Sequence, residues 1–98
     1  MSTSTTNPAL STAQNVRVTD EILTAELTDG REISVPLSWF PRLTHATPQE
    51  RGNWRLIGSG EGIRWEDLDE DISVASLLAG RRSGESAESL NRWLASRR

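Results

Sequence analysis

The sequence predicts a small single domain of the α+β class, made of antiparallel hairpins and short helices, followed by a C-terminal helix. The chain has 98 residues, which is enough for one hydrophobic core. Alternating apolar and polar residues around an Asp-Gly turn predict an antiparallel hairpin in the first half. Helix-start signals and an amphipathic final stretch predict helices in the second half.

The N-terminal residues, 1–14, are rich in serine and threonine and carry no charged side chain. Such a segment buries too little surface to offset its ordering entropy, so we predict a disordered tail rather than a signal peptide. The α+β domain should then cover residues 15–80, with a polar linker and amphipathic helix over 81–98. Cysteine is absent and no stretch of about 18 apolar residues occurs, so we expect a cytoplasmic protein without a membrane span.

Three early strands are predicted at Val16–Val18, Ile22–Thr28 and Arg31–Leu37 from their β-branched residues and period-two alternation. A two-residue Asp-Gly loop would mix apolar and polar residues on each face of the hairpin. A three-residue loop, Thr28–Gly30, instead puts four apolar residues on one face: Leu23, Ala25, Ile33 and Val35. Because a buried face fixes the register, we predict the three-residue loop, with Gly30 in the left-handed region.

Two short helical turns should follow the hairpin. Ser38 is expected to cap the first, which runs to Leu43. Thr47 should cap the second, because a proline and then a glutamate follow it at the preferred positions, and Gly52 should end it. The adjacent aromatic residues Trp39–Phe40 cannot both point inward from a short turn, so one of them should be partly exposed.

Beyond Gly52 the sequence predicts two more strands and two more helices. The strands are Trp54–Ile57 and Ile63–Trp65, separated by a glycine-rich turn. The acidic segment before Val74 should open a short helix that ends at Gly80. The last helix, Ala87–Ser96, carries an apolar stripe at i, i+3 and i+4 formed by Leu90, Trp93 and Leu94.

The string GEGIRWEDLDEDISVASLLAG, residues 60–80, resembles a signature of a bacterial family of uncharacterised proteins, domain of unknown function 2442. The resemblance covers about residues 16–80 and includes the aromatic segment Leu37–Pro41. It implies a small α+β fold and no established activity. Members of the family are often encoded beside another small protein, and some resemble toxin–antitoxin partners. Glu66 replaces the usual proline of the signature, and Arg64 replaces a common histidine.

The acidic run resembles the start of a calcium-binding loop, because Asp67, Asp69 and Asp71 have D-x-D-x-D spacing. However, the sixth position is Ile72 rather than glycine, and the twelfth is Leu78, which cannot bind a metal. We therefore predict no metal site and expect these acids to precede a helix N-terminus, where negative charge is favourable.

Other catalytic or cofactor motifs are equally weak. The glycines at 58, 60 and 62 lead into a predicted strand, whereas a phosphate loop leads into a helix. His45, the sole histidine, has no neighbouring nucleophile or set of metal ligands. We predict no cofactor, no small-molecule ligand and no enzymatic activity.

The predicted function is a non-catalytic protein-interaction module, acting through another protein or through self-association, and possibly an antitoxin-like partner of a neighbouring small protein. The candidate partner-binding residues are Trp39, Asp67, Asp69, Leu90, Trp93, Leu94 and Arg97. The alternative is a small nucleic-acid-binding transcriptional regulator, which only the arginines near the C-terminus favour. The net charge of −3 argues against that alternative, because phosphate binding requires many cations.

Overall fold

The computed structural model describes residues 11–97, which form two antiparallel sheets of three strands each and four helices. The first sheet has the order β1 (Ala13–Val18), β2 (Ile22–Leu27) and β3 (Glu32–Pro36). The second has the order β4 (Arg55–Ile57), β5 (Gly62–Trp65) and β6 (Glu70–Ser73). The helices are α1 (Pro41–Thr44), α2 (Pro48–Gly52), α3 (Val74–Leu78) and α4 (Ala87–Ser96). The predicted α+β class is confirmed.

The hairpin between β2 and β3 has the predicted register. Leu23 lies opposite Val35, and Ala25 lies opposite Ile33. Gly30 has a φ of 96°, and its N–H donates to the carbonyl of Leu27, which closes the three-residue loop. The inward face is buried except for Ile33, which is half-buried at the edge of the sheet.

The predicted boundary of the N-terminal tail is wrong at residues 11–14. Strand β1 begins at Ala13, which is buried and pairs with the end of β2. The small side chains of this segment reflect close packing rather than disorder. A Cβ added to Gly60 would lie only 2.7 Å from the carbonyl oxygen of Ala13, so the turn before β5 approaches the start of β1 very closely. Residues 1–10 of the predicted tail lie outside the described residues.

The two helical turns after β3 are partly as predicted. Ser38 is not a helix cap: Leu37 is buried and already begins a 3-10 turn, Leu37–Trp39, and α1 starts at Pro41. Helix α2 has the predicted capping box, in which the Thr47 hydroxyl accepts from the N–H of Glu50 and the Glu50 carboxylate accepts from the N–H of Thr47.

Strand β6 was not predicted. The segment expected to open a helix is instead extended, and Ile72 pairs with Ile63 of β5. Asp71 still precedes the N-terminus of α3, as predicted, but it does so from within a strand. Burial of Ile72 decides the conformation, because an extended backbone places that side chain in the core and leaves the flanking side chains of Asp71 and Ser73 exposed. Helix α3 then starts after Ser73, whose hydroxyl accepts from the N–H of Ser76.

The core is shared by both sheets and centres on Trp65, which is fully buried and donates its indole N–H to the carbonyl of Arg51. Trp54 is half-buried against this core. The family-like signature residues Leu68, Ile72 and Leu77 are buried, whereas Leu78 is half-buried. None of the helices in residues 11–97 has the length and apolar character needed to cross a bilayer.

Candidate functional site

The chain turns sharply at the end of α3 and runs back over the domain. Gly80 has a φ of 72°, its N–H donates to Leu77, and the N–H of Arg81 donates to the carbonyl of Ser76. This pair of bonds satisfies the last carbonyls of the helix and requires a left-handed residue, which explains the glycine. We call the following residues, Arg81–Gly84, the strap.

The strap is fixed to the segment after β3 at Trp39. The N–H of Ser83 donates to the carbonyl of Trp39 at 3.0 Å. The guanidinium of Arg82 lies 5.0 Å from the centroid of the Trp39 ring, within the range of a cation–π contact. Trp39 is half-buried and its neighbour Phe40 is buried, so the predicted division between these two aromatic residues is confirmed.

A cavity of about 230 Å³ lies among the strap, β6 and the start of α3. Phe40 and Ile72, both buried, supply its apolar lining. The hydroxyls of Ser73 and Ser76, which hydrogen-bond to each other at 2.8 Å, supply part of its polar lining. Its charged lining consists of Glu70, Asp71, Arg81 and Arg82.

The edge of β6 that faces away from β5 borders this cavity. The N–H of Val74 donates to the carbonyl of Glu61 on the β5 side. Because bonding alternates along an antiparallel pair, Ile72 also bonds toward β5, while the backbone groups of Asp71 and Ser73 point the other way. In the described part of the chain, β6 pairs with β5 alone, so the outward N–H groups of Asp71 and Ser73 and the carbonyl of Asp71 are available to a ligand. The carbonyl of Ser73 is not, because Ser73 is the N-cap of α3 and accepts the first hydrogen bond of that helix.

Glu70 is the most perturbed carboxyl beside the cavity. Burial raises its pKa to about 7, and the neighbouring carboxylates of Glu85, Asp71 and Asp69 act in the same direction. The charge of Arg42 opposes this effect only in part. Among residues 11–97, no side chain forms an ion pair or hydrogen bond with the Glu70 carboxyl.

Arg42 joins the start of β6 to the C-terminal segment. It donates to the carbonyl of Leu68 at 2.9 Å and to the carboxylate of Glu85 at 2.6 Å. The side chains of this ion pair are 15% and 10% exposed, which makes it the most buried ion pair of the described chain, ahead of Arg97–Glu50 at 25% and 22%. The hydrogen bond between them raises the pKa of Arg42 and lowers the pKa of Glu85.

Helix α4 docks on its own domain through Trp93. The Trp93 ring has the guanidinium of Arg42 at 5.1 Å and that of Arg97 at 4.5 Å from its centroid. Arg97 also forms an ion pair with Glu50 of α2 at 2.6 Å. The other two residues of the predicted stripe, Leu90 and Leu94, are half-buried. The sequence does not decide whether this helix packs on its own domain or on a partner. In the structure it packs on its own domain.

The two aspartates predicted to bind a partner lie apart from α4. Asp67 accepts a hydrogen bond from the amide of Asn53 at 2.8 Å. Asp69 pairs with Arg64, which also pairs with Asp71, both at 3.0 Å. Arg64, the residue that replaces the histidine of the resembling family, thus neutralises this acidic run. Within residues 11–97, no three His, Cys, Asp or Glu side chains converge in a metal-binding arrangement.

The residues around the cavity were not singled out from the sequence. Arg81 and Arg82 lie in a segment that reads as a polar linker, and Glu70 lies in one that reads as a helix start. Arg42 and Glu85 are 43 positions apart, so no local spacing connects them. The glycine at position 80 was the one available signal, since it predicted the end of α3 but not the direction of the chain after it.

A family model described as "Protein of unknown function (DUF2442)" matches residues 13–83, which include the strap up to Ser83 and exclude α4. A protein of unknown function from Rhodospirillum rubrum has a similar crystal structure, with a TM-score of 0.67 and 25% sequence identity over 76% of this chain and 93% of that one. An uncharacterised protein from Chromobacterium violaceum, solved by NMR, has a TM-score of 0.64 and 28% identity over 88% of this chain and 75% of that one. No curated protein matches the chain.

Proposed function

The chain belongs to the DUF2442 family of proteins of unknown function, and from its own geometry we propose that it is a non-catalytic, cytoplasmic protein-interaction module. The observation that carries this proposal is the way α4 is attached. None of its ten residues is fully buried, and its contacts with the domain centre on one tryptophan and on charged side chains. A helix attached in this way can dissociate from its own domain and bind to a partner protein instead.

The apolar stripe of α4 gives that exchange a driving force. Leu90, Trp93 and Leu94 are half-buried, so each has apolar surface still to bury. An amphipathic helix of this kind fits an apolar groove on a partner protein, where spaced anchors on one face carry the binding. A helix of ten residues is marginal alone in water, so it requires one of the two surfaces.

The partner we propose is the protein encoded by the adjacent gene, in an antitoxin-like pair. The net charge of −3 favours a basic partner through electrostatic steering. The net charge also argues against the nucleic-acid alternative, as do the ion pairs that arginines form with carboxylates of the same chain. Six arginines are bound to carboxylates and so have less charge to offer phosphates: Arg17, Arg31, Arg42, Arg55, Arg64 and Arg97.

The test compares two double variants of the full chain, one in the apolar stripe of α4 and one at exposed positions beside it. Leu90→Ser with Leu94→Ser removes the stripe, whereas Asn91→Ser with Ala95→Ser changes two exposed positions of the same helix. Calorimetric titration with the adjacent gene product should show the first variant binding at least about tenfold more weakly than wild type and the second binding unchanged. Equal binding by both variants, or no binding by the wild type, would contradict the proposal.

A further inference from the structure

We propose that the strap cavity binds a zwitterionic ligand of amino-acid size, with its ammonium group beside Glu70 and its carboxylate beside Arg81 and Arg82. The inference goes beyond the interaction module and does not depend on it. It rests on the charges that line the cavity, on the size of the cavity and on the hydrogen-bonding groups at its border.

Three of the four charged residues that line the cavity have no counter-ion in the described chain, and the fourth, Asp71, is paired with Arg64. In the described chain, neither Arg81 nor Arg82 forms an ion pair with a carboxylate, although most other arginines do. Arg82 is nevertheless held in place by Trp39. Glu70 is half-buried and likewise has no ion-pair partner among residues 11–97. Cationic and anionic groups thus line one cavity without contacting each other.

A ligand that carries both charges satisfies this lining, whereas a ligand with one charge does not. An anion at the strap would leave a carboxylate at Glu70 unpaired and would be repelled by it. A cation at Glu70 would face the two guanidiniums in the same way. Glu70 is half-buried and therefore gains more from such a partner than the exposed arginines, Arg81 and Arg82. Ammonium and carboxylate groups both add charge-assisted hydrogen bonds to the pairing of charges.

The size and border of the cavity fit one amino acid. Its volume of about 230 Å³ is below the range of about 300–1,000 Å³ typical of sites for drug-sized molecules. Phe40 and Ile72 offer an apolar surface to a small or aliphatic side chain. The outward N–H groups of Asp71 and Ser73 offer donors to the carboxylate of the ligand, and the carbonyl of Asp71 offers an acceptor to its ammonium group.

The first experiment titrates the full chain with glycine and with leucine, using calorimetry and amide NMR spectra. Two analogues of leucine test the charge requirement: 4-methylpentanoate lacks the ammonium group and 3-methylbutylamine lacks the carboxylate. We expect at least one amino acid to bind, to shift the amide signals of Ser73 and Ser83, and to bind at least about tenfold more tightly than either analogue. Absence of binding by both amino acids, or equal binding by the analogues, would overturn the proposal.

The second experiment assigns the charges to residues. Glu70→Gln, and separately Arg81→Gln with Arg82→Gln, should each weaken amino-acid binding by about tenfold or more. Arg92→Gln, an exposed arginine of α4 that does not line the cavity, is the matched control and should bind like the wild type. Thermal unfolding of each variant shows whether it is folded. Unchanged affinity in a folded Glu70→Gln variant would show that Glu70 does not bind the ammonium group, and would contradict the proposal.

Discussion

Two ion pairs differ in how much they contribute to the structure, because one is buried and the other is exposed to solvent. The pair between Arg42 and Glu85 is mostly buried and carries extra hydrogen bonds to the backbone and to Ser89. The pair between Arg55 and Glu66 is more than half exposed on both sides. Exposed pairs contribute little to stability, whereas breaking a buried pair leaves an uncompensated charge. The position of the C-terminal segment therefore depends chiefly on Arg42.

Glu70 should make the protein less stable as the pH rises. Its pKa in the folded state is raised to about 7, above its ordinary value of 4.5, mainly by burial. Below about pH 4.5 the carboxyl is protonated in both the folded and unfolded states and has no effect. As the pH rises past this value, the unfolded state loses its proton first, so the folded state is progressively penalised until about pH 7.

Substituting Glu70→Gln should therefore raise the free energy of unfolding at pH 8, by on the order of 1 kcal/mol because the half-buried carboxyl is partly screened by solvent, and leave it unchanged near pH 4. Denaturant unfolding at the two pH values measures this. Comparison with the parent cancels the contributions of the groups that face Glu70, which are Arg42, Asp69, Asp71 and Glu85. Glu21→Gln, the same substitution at an exposed position, is the matched control. A larger gain at pH 4 than at pH 8 would contradict the assignment.

At the scale of elements, the sequence predicts structure well where local pattern and burial agree. The hairpin register follows from the apolar face of β2 and β3, and α4 begins and ends where its periodicity indicates. Strand β6 was missed because acidic residues before a serine cap are typical of a helix start. The burial of Ile72 against Ile63 overrides that local signal, and such a tertiary contact is not visible in a four-residue segment.

The candidate site was predicted less well than the fold. Trp93 was selected as a partner-binding residue from its helical spacing and Arg97 from its charge, and in the structure they contact each other. The strap cavity could not be predicted, because it is assembled from β6, α3 and a segment that reads as a linker. Its position depends on the left-handed turn at Gly80 and on the anchor at Trp39, and a sequence pattern indicates only the first of these.

Helix α3 should depend strongly on one of its two leucines. Leu77 is 3% exposed and lies in the core, whereas its neighbour Leu78 is half-buried. We expect Leu77→Ala to lower the free energy of unfolding by about 2–5 kcal/mol, because it leaves a cavity as well as removing buried surface. Leu78→Ala should cost about half as much or less. Denaturant unfolding of both variants measures the difference, and equal costs would show that the helix is packed differently.

At the scale of the whole molecule, the two sheets and the strap form a closed arrangement to which α4 is added. The sheets share one core and meet where Gly60 approaches Ala13. The family match ends at residue 83, within the strap, so the strap cavity lies almost entirely inside the matched region and α4 lies outside it. This division suggests that the domain can fold without the helix, while the contact between Arg42 and Glu85 is still needed to close the strap.

A chain ended after Ser86 tests that division directly, because it removes α4 and retains Glu85. We expect it to unfold cooperatively, with a free energy of unfolding lower by about 1–2 kcal/mol, since it loses the stacking on Trp93 and the partly exposed ion pair of Arg97 but no fully buried side chain. Trp93→Ala in the full chain is the matched comparison and should account for most of that loss. Chemical denaturation followed by the fluorescence of the remaining tryptophans, three of the four in the chain, measures both. Loss of the cooperative transition in the shortened chain would mean that α4 belongs to the folding core, and the exchangeable helix on which the interaction proposal depends would have to be abandoned.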